Sequence, residues 1–208
     1  MSLKNIEVEL RGPLNEEEYE NILKILKAKG ELVKQQTRLL LDYSTFLEGI
    51  GERKLDVRVR ITNKKVEIVV KKGRFGGTSR EEACLFPEDN DLKNTLKIMS
   101  LLGYTKAVAC DREIERYMID EIEFAIQDVK NFNNNGAVHS RFFEAEIMSD
   151  EEGKDLAVKK IRTFLESYNL KEFSETDWND YVAKINNEAN GVFDYEKDNL
   201  ETITKLIK

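Results

Sequence analysis

Charged and aliphatic residues alternate one for one along three short stretches of this chain. They are Ile6-Glu7-Val8-Glu9-Leu10-Arg11, Asp56-Val57-Arg58-Val59-Arg60-Ile61 and Phe142-Phe143-Glu144-Ala145-Glu146-Ile147. A strand sends successive side chains to opposite faces. Glu7, Glu9 and Arg11 therefore share one face, and Ile6, Val8 and Leu10 share the other. The second stretch presents an arginine pair in the same way, and the third a carboxylate pair. Acidic and basic side chains on one sheet face point to a site for a polyanion and the metals that accompany it.

Helical periodicity separates the strands. Asn15 is placed to cap a helix opening in Glu16-Glu17-Glu18, with Tyr19, Ile22, Leu23 and Leu26 as its apolar stripe and Gly30 at its end. A strand follows over residues 37–46. Turns around 48–52 and 63–65 lead through the arginine-pair strand into a strand over 66–72. Gly73, Gly76 and Gly77 mark a loop before a strand over 79–84. Strands so closely spaced predict an antiparallel meander. Pro87 and Asp89 to Asp91 open a second helix, with Leu92, Leu96, Met99 and Leu102 buried and Gly103 as its stop. Two or three more strands lie between Val108 and Ile147, with a hairpin loop over 131–136. Ser149 and Glu152 form a capping-box pattern before a helix carrying Leu156, Ile161, Phe164 and Leu165. Helices are expected over 176–187 and 195–207. The class is α+β. Seven or eight antiparallel strands with charged inner faces cannot form a dry sandwich, because buried unpaired charge is too costly. A closed barrel with a wet polar lumen resolves the conflict and puts the aliphatic faces outward, under the helices.

Composition narrows the function. The 208 residues suffice for one core, with a net charge of −7 that disfavours broad binding to nucleic acid. No apolar run approaches the ~20 residues of a membrane helix, so no membrane partner is expected. No secretory pattern opens the chain, and the cytoplasm is the expected compartment. Cys84 and Cys110 lack metal-ligand spacing and are read as reduced thiols. His139 is the only histidine and sits in a polar loop, which leaves no histidine-rich metal site.

In this order the motifs resemble the CYTH superfamily, the triphosphate tunnel metalloenzymes, which include class IV adenylate cyclases and thiamine and inorganic triphosphatases. The first-strand signature E-x-E-x-K matches Glu7-Val8-Glu9-Leu10-Arg11, with arginine in place of the usual lysine. R-x-R matches Arg58-Val59-Arg60, and a strand ending in lysine and glycine matches Val69-Val70-Lys71-Lys72-Gly73. R-x-E matches Arg80-Glu81-Glu82, a turn matches Leu102-Gly103-Tyr104, and the closing E-x-E matches Glu144-Ala145-Glu146. The match runs over residues 1–185 as a tunnel domain, with 186–208 as a C-terminal helical extension.

The resemblance implies an eight-stranded antiparallel tunnel and a small-molecule triphosphate substrate. It implies Mg2+ or Mn2+ held by Glu7, Glu9, Glu144 and Glu146. Phosphate oxygens would fall to Arg11, Arg58, Arg60, Lys72, Arg80 and Arg112, and catalysis to Glu7, Glu9 and Arg11. Glu82 joins either group. Hydrolysis of the triphosphate is the favoured reaction, with cyclic AMP formation and non-catalytic phosphate binding as alternatives. One further acid is expected from the strand near 123–128: Asp128, with Gln127 equally compatible in register. Only one of Lys71 and Lys72 can face the lumen, and the following glycine favours Lys72. Ile114 between Arg112 and Arg116 implies that only one of those arginines reaches substrate. A structural pairing of Arg80 with Glu82 is an equal alternative. Trp178 and Tyr181 read as packing residues. The helical tail is open as a closing lid or as the contact of a homodimer.

Overall fold

The computed structural model describes residues 6–48, 50, 52–75, 79–130 and 140–204. Nine strands build one sheet: β1 (Ile6–Leu14), β2 (Glu31–Asp42), β3 (Leu55–Thr62), β4 (Lys65–Lys72), β5 (Ser79–Leu85), β6 (Lys106–Ile119), β7 (Ile122–Lys130), β8 (Ser140–Ser149) and β9 (Gly191–Asp194). Their order is β2-β3-β4-β5-β1-β8-β7-β6, and β6 pairs back onto β2, which closes an eight-stranded antiparallel barrel. β9 lies outside it, on the part of β6 that β7 does not reach. The fold is α+β, as the order of elements predicted, and the barrel is closed, as the charge alternation required.

The inward charges are offset on the outside. Val8, Leu10, Phe124, Ile126, Phe143 and Ala145 face outward and meet α1 (Glu16–Lys29) and α4 (Lys154–Ser167) through Ile22, Leu26, Ile161 and Leu165. A second core joins Leu39, Leu41, Val57, Val59 and Val66 to α3 (Leu92–Leu101), Phe193 of β9 and Ile203 of the terminal α6 (Leu200–Thr204). Each such aliphatic or aromatic side chain contributes about 1.5–3 kcal/mol on burial, which allows a barrel to keep a charged interior. A third cluster closes one end. Trp178 and Val182 of α5 (Glu175–Glu188) pack there with Phe75, Phe142 and Cys110.

The connection from α4 to α5 crosses directly over β1. The Phe173 N–H donates to the Arg11 carbonyl at 2.7 Å. A Cβ on Gly12 would lie 1.9 Å from the Lys171 carbonyl oxygen, so only glycine admits this crossing.

Local signals held at α1, where Asn15 and Glu18 form a full capping box. Elsewhere tertiary pairing moved the boundaries. β2 begins at Glu31, not near residue 37, because its exposed first residues are held by backbone pairing to β6, for which no apolar pattern is needed. It ends at Asp42, and a single helical turn, α2 (Thr45–Glu48), replaces its predicted last residues. α4 starts only at Lys154: Asp150 accepts from the Gly153 N–H at 2.9 Å and takes the place expected of the Ser149–Glu152 box. Leu102 is exposed, since α3 ends at Leu101 and Gly103 turns the chain at φ +91°. The extension is not wholly helical, because β9 precedes the short α6. Gly76, Gly77, the 131–136 loop, His139 and residues 205–208 lie outside the described residues.

Candidate active site

The lumen encloses about 420 Å³, lined by charged side chains from the eight barrel strands and by one face of α5. Its acidic wall comes from adjacent strands. Glu7 and Glu9 on β1 stand beside Glu146 and Glu144 on β8, with Glu9 opposite Glu146 and Arg11 opposite Glu144. Glu123 on β7 stands opposite Glu146 on the other side. Arg11 ion-pairs with Glu9, and its Nε lies 3.4 Å from Glu144 Oε1. Arg116 pairs with Glu123 and lies 3.4 Å from Glu146.

Burial and crowding set the protonation of this wall. Burial pushes the Glu9 carboxyl up to about 8, against Arg11 and with help from Glu144 and Glu7. Burial likewise pushes Glu146 up to about 9, opposed by Arg116 and reinforced by Glu7, Glu9 and Glu123. Burial would raise Glu144 too, but Arg11, a hydrogen bond shared with Glu9, Arg116 and Arg112 outweigh it and hold Glu144 well below the usual range. Near neutral pH the proton is therefore favoured on Glu9 and Glu146, while Glu144 stays ionised beside the arginines.

The basic wall is built on β2 to β6. Asp56, 1% exposed, accepts from Arg58 Nε at 2.7 Å and from Arg80 Nη1 at 3.0 Å. Burial opposes its ionisation, yet Arg58, Arg80 and Arg53 hold it well below the usual carboxylate range. Lys71 Nζ lies 2.5 Å from Glu82 and 3.7 Å from Glu7. Arg60 lies 3.5 Å from Glu82 and 3.8 Å from Glu67. Arg112 donates to Gln127 Oε1 at 2.9 Å and to the Cys110 sulfur at 3.2 Å, and Gln127 in turn donates to Glu144. Gln127 thus ties the basic wall to the acidic one.

Glu7, Glu9, Arg11, Arg58, Arg60, Arg80, Arg112, Glu144 and Glu146 all line the lumen, with Glu82 among them. Lys72 does not. Val66, Ile68 and Val70 of β4 pack outward against the second core, so parity turns Lys71 inward and leaves Lys72 exposed. Asp128 is likewise excluded. Phe124 and Ile126 face the outer core, which sends Asp128 outward to Arg141 at 3.4 Å and Gln127 into the lumen. Both Arg112 and Arg116 reach the lumen despite Ile114 between them. Arg80 and Glu82 do not pair with each other, because Asp56 takes one and Lys71 the other. Trp178 packs as expected, but it also lines the lumen, with the Arg11 guanidinium 5.1 Å from its ring centroid. The sequence reading does not single out Arg38, which lines the lumen, or Asp56, which holds Arg58 and Arg80. The signal for Arg38 was the alternation Gln36-Thr37-Arg38-Leu39, which the surrounding leucines hide.

Among the described residues, no three acidic, cysteine or histidine side chains stand together as a ready metal cage. The donor set nonetheless suits a hard divalent ion. Glu7, Glu9 and Glu146 offer carboxyl oxygens, and a bound cation would displace the protons that burial and neighbouring acids favour on Glu9 and Glu146.

No family model and no curated protein matches the chain. Solved structures do match it. The PH1819 protein of Pyrococcus horikoshii superposes with a TM-score of 0.68 at 18% identity, over 86% of this chain and 98% of that one. A candidate adenylate cyclase from Vibrio parahaemolyticus gives 0.56 at 15%, over 83% and 92%. A candidate adenylyl cyclase from Hippeastrum, whose structure is said to reveal a dominant triphosphatase activity, gives 0.50 at 15%, over 98% and 96%. The chain shares the barrel fold of these structures. At these identities the likeness is one of architecture, and the reaction has to be argued from the lumen. No helix among the described residues is long and apolar enough to cross a membrane.

Proposed function

We propose that this chain hydrolyses a triphosphate inside the barrel with a divalent metal ion. One observation carries the reading: carboxylate pairs from β1 and β8 and cations from β1 and β3 to β6 face a single closed lumen. Arg11, Arg58, Arg60, Lys71, Arg80 and Arg112 supply charge-assisted donors for phosphate oxygens. Glu7, Glu9 and Glu146, backed by Glu144, are the residues that would hold Mg2+ or Mn2+. When bound, such an ion polarises a phosphoryl oxygen and lowers the pKa of bound water. The chain's own groups orient the phosphates, offset charge on the transferring oxygens and keep bulk water from the α5 end. No covalent nucleophile is needed.

A cyclase reading is favoured by the names of the Vibrio and Hippeastrum neighbours. A binding-module reading is favoured by the arginines that occupy the carboxylates and by the lack of a ready cage. Product release separates the three, with inorganic triphosphate, thiamine triphosphate and ATP tested under magnesium and then manganese. Orthophosphate supports the hydrolase, and its absence with all substrates sinks it. Pyrophosphate with cyclic AMP from ATP selects the cyclase. Tight binding with no turnover selects the module. Within the hydrolase reading, Glu7→Gln abolishes turnover and keeps the circular dichroism spectrum; retained activity removes Glu7 from the metal site.

A further inference from the structure

We propose that Arg38 and Arg112, side by side on β2 and β6, form the seat for the most highly charged phosphoryl group, and that Arg38 is a substrate-binding residue. This rests on the triphosphate reading above. The two residues are direct cross-strand partners, and both side chains line the lumen. Like charges directly opposite each other in an antiparallel pair are destabilising, and more so away from water.

The other lumen arginines have acidic partners. Arg11 has Glu9 and Glu144, Arg58 and Arg80 share Asp56, Arg60 has Glu82 and Glu67, and Arg116 has Glu123 and Glu146. Among the described residues, Arg38 and Arg112 form no ion pair. Arg38 Nε donates to Thr62 Oγ1 at 3.0 Å, and no described residue takes its terminal nitrogens. Burial first, and then the positive field of Arg60, Arg116 and Arg112, disfavour its charge, with Glu67 opposing them.

The consequence reverses the weight suggested by sequence. Arg58, in the conspicuous R-x-R motif, already spends Nε and one terminal nitrogen on Asp56. Arg38 keeps its two-nitrogen fork for the ligand, and a multiply charged anion removes the Arg38–Arg112 repulsion as it binds.

Calorimetric titration of inorganic triphosphate into the intact chain, without metal, tests this on wild type, Arg38→Met, Arg38→Lys and Lys72→Met. Arg38→Met is expected to weaken binding about 30-fold, and Arg38→Lys to recover part of it, since lysine keeps the charge and loses the fork. Lys72→Met removes the same formal charge outside the barrel and is expected to stay within about twofold of wild type. Arg38→Met is also expected to match or exceed the wild-type thermal midpoint without ligand, because a repulsion has gone; weak binding with a lowered midpoint would mark Arg38 as structural. Wild-type affinity in Arg38→Met overturns the assignment and leaves the tunnel reading standing. No binding by wild type, in this titration and in one repeated with magnesium present, overturns both. Should Arg38→Met fail to fold, Arg38→Lys decides: an affinity loss of about threefold or more supports the seat, and unchanged affinity rejects it.

Discussion

Lys71 and Lys72 differ by one position and by the whole thickness of the barrel wall. Lys71 lies against Glu82 and Glu7, whereas Lys72 is exposed. Replacing Lys71 with Met should lower kcat/KM for the triphosphate at least tenfold, through the loss of a charged phosphate contact and of the nearer cation on Glu82. Lys72→Met should leave it within a factor of two, and steady-state kinetics on the pair checks the register. Asp56 carries a pH signature. Its folded carboxyl titrates below the ordinary 3.8, so its stabilisation is present above that value and is lost as pH falls through the folded value. Thermal midpoints of wild type should therefore drop steeply between about pH 4 and pH 2, and those of Asp56→Asn less steeply. At neutral pH, Asp56→Asn should be about 3–5 kcal/mol less stable, because Arg58 and Arg80 lose their buried partner. Equal acid slopes would show that Asp56 does not hold those arginines.

Among the elements, β1 and α5 set the site between them. β1 supplies Glu7, Glu9 and Arg11, and the chain entering α5 crosses it at Gly12 with no room for a Cβ. Gly12→Ala should cost about 2–4 kcal/mol in urea unfolding, since backbone cannot yield as a flexible side chain would. It should also shift the α5 end of the lumen, where Trp178 stands beside Arg11, and so raise KM. A stability loss with KM unchanged would mean that α5 docks independently of this crossing. The seven lumen-lining charged positions on β1, β3 and β8 were legible because charged and apolar residues alternate there. β4 and β7 were not, because Lys71-Lys72 and Gln127-Asp128 offer two polar neighbours, and local pattern alone does not choose between them. Their outward apolar partners Val66, Ile68 and Val70, and Phe124 and Ile126, do choose.

For the whole molecule, the barrel gathers acids on one side and cations on the other, joined through Lys71–Glu7 and Gln127. A ligand that carries both signs, a phosphate chain with its divalent ion, should stabilise the fold more than either part. At about 100 times the dissociation constant, linkage predicts about 2.7 kcal/mol. Differential scanning calorimetry with inorganic triphosphate, magnesium and both together checks this, and additive or smaller shifts from the combination would count against a shared site.

The sequence by itself determined the closed barrel. Strict alternation of charge and aliphatic residues on three strands forbids a dry core, and the short spacing of the strands forces antiparallel pairing. It also determined most of the lumen, since a residue's face follows from strand parity. The tertiary structure alone decided three things. It decided which of two adjacent polar residues turns inward, because that depends on what the helices cover. It decided which arginines are already neutralised, because Asp56, Glu82 and Glu146 meet them from other strands. And it brought α5 to the end of the tunnel, because a crossing chain at Gly12 leaves no mark in periodicity.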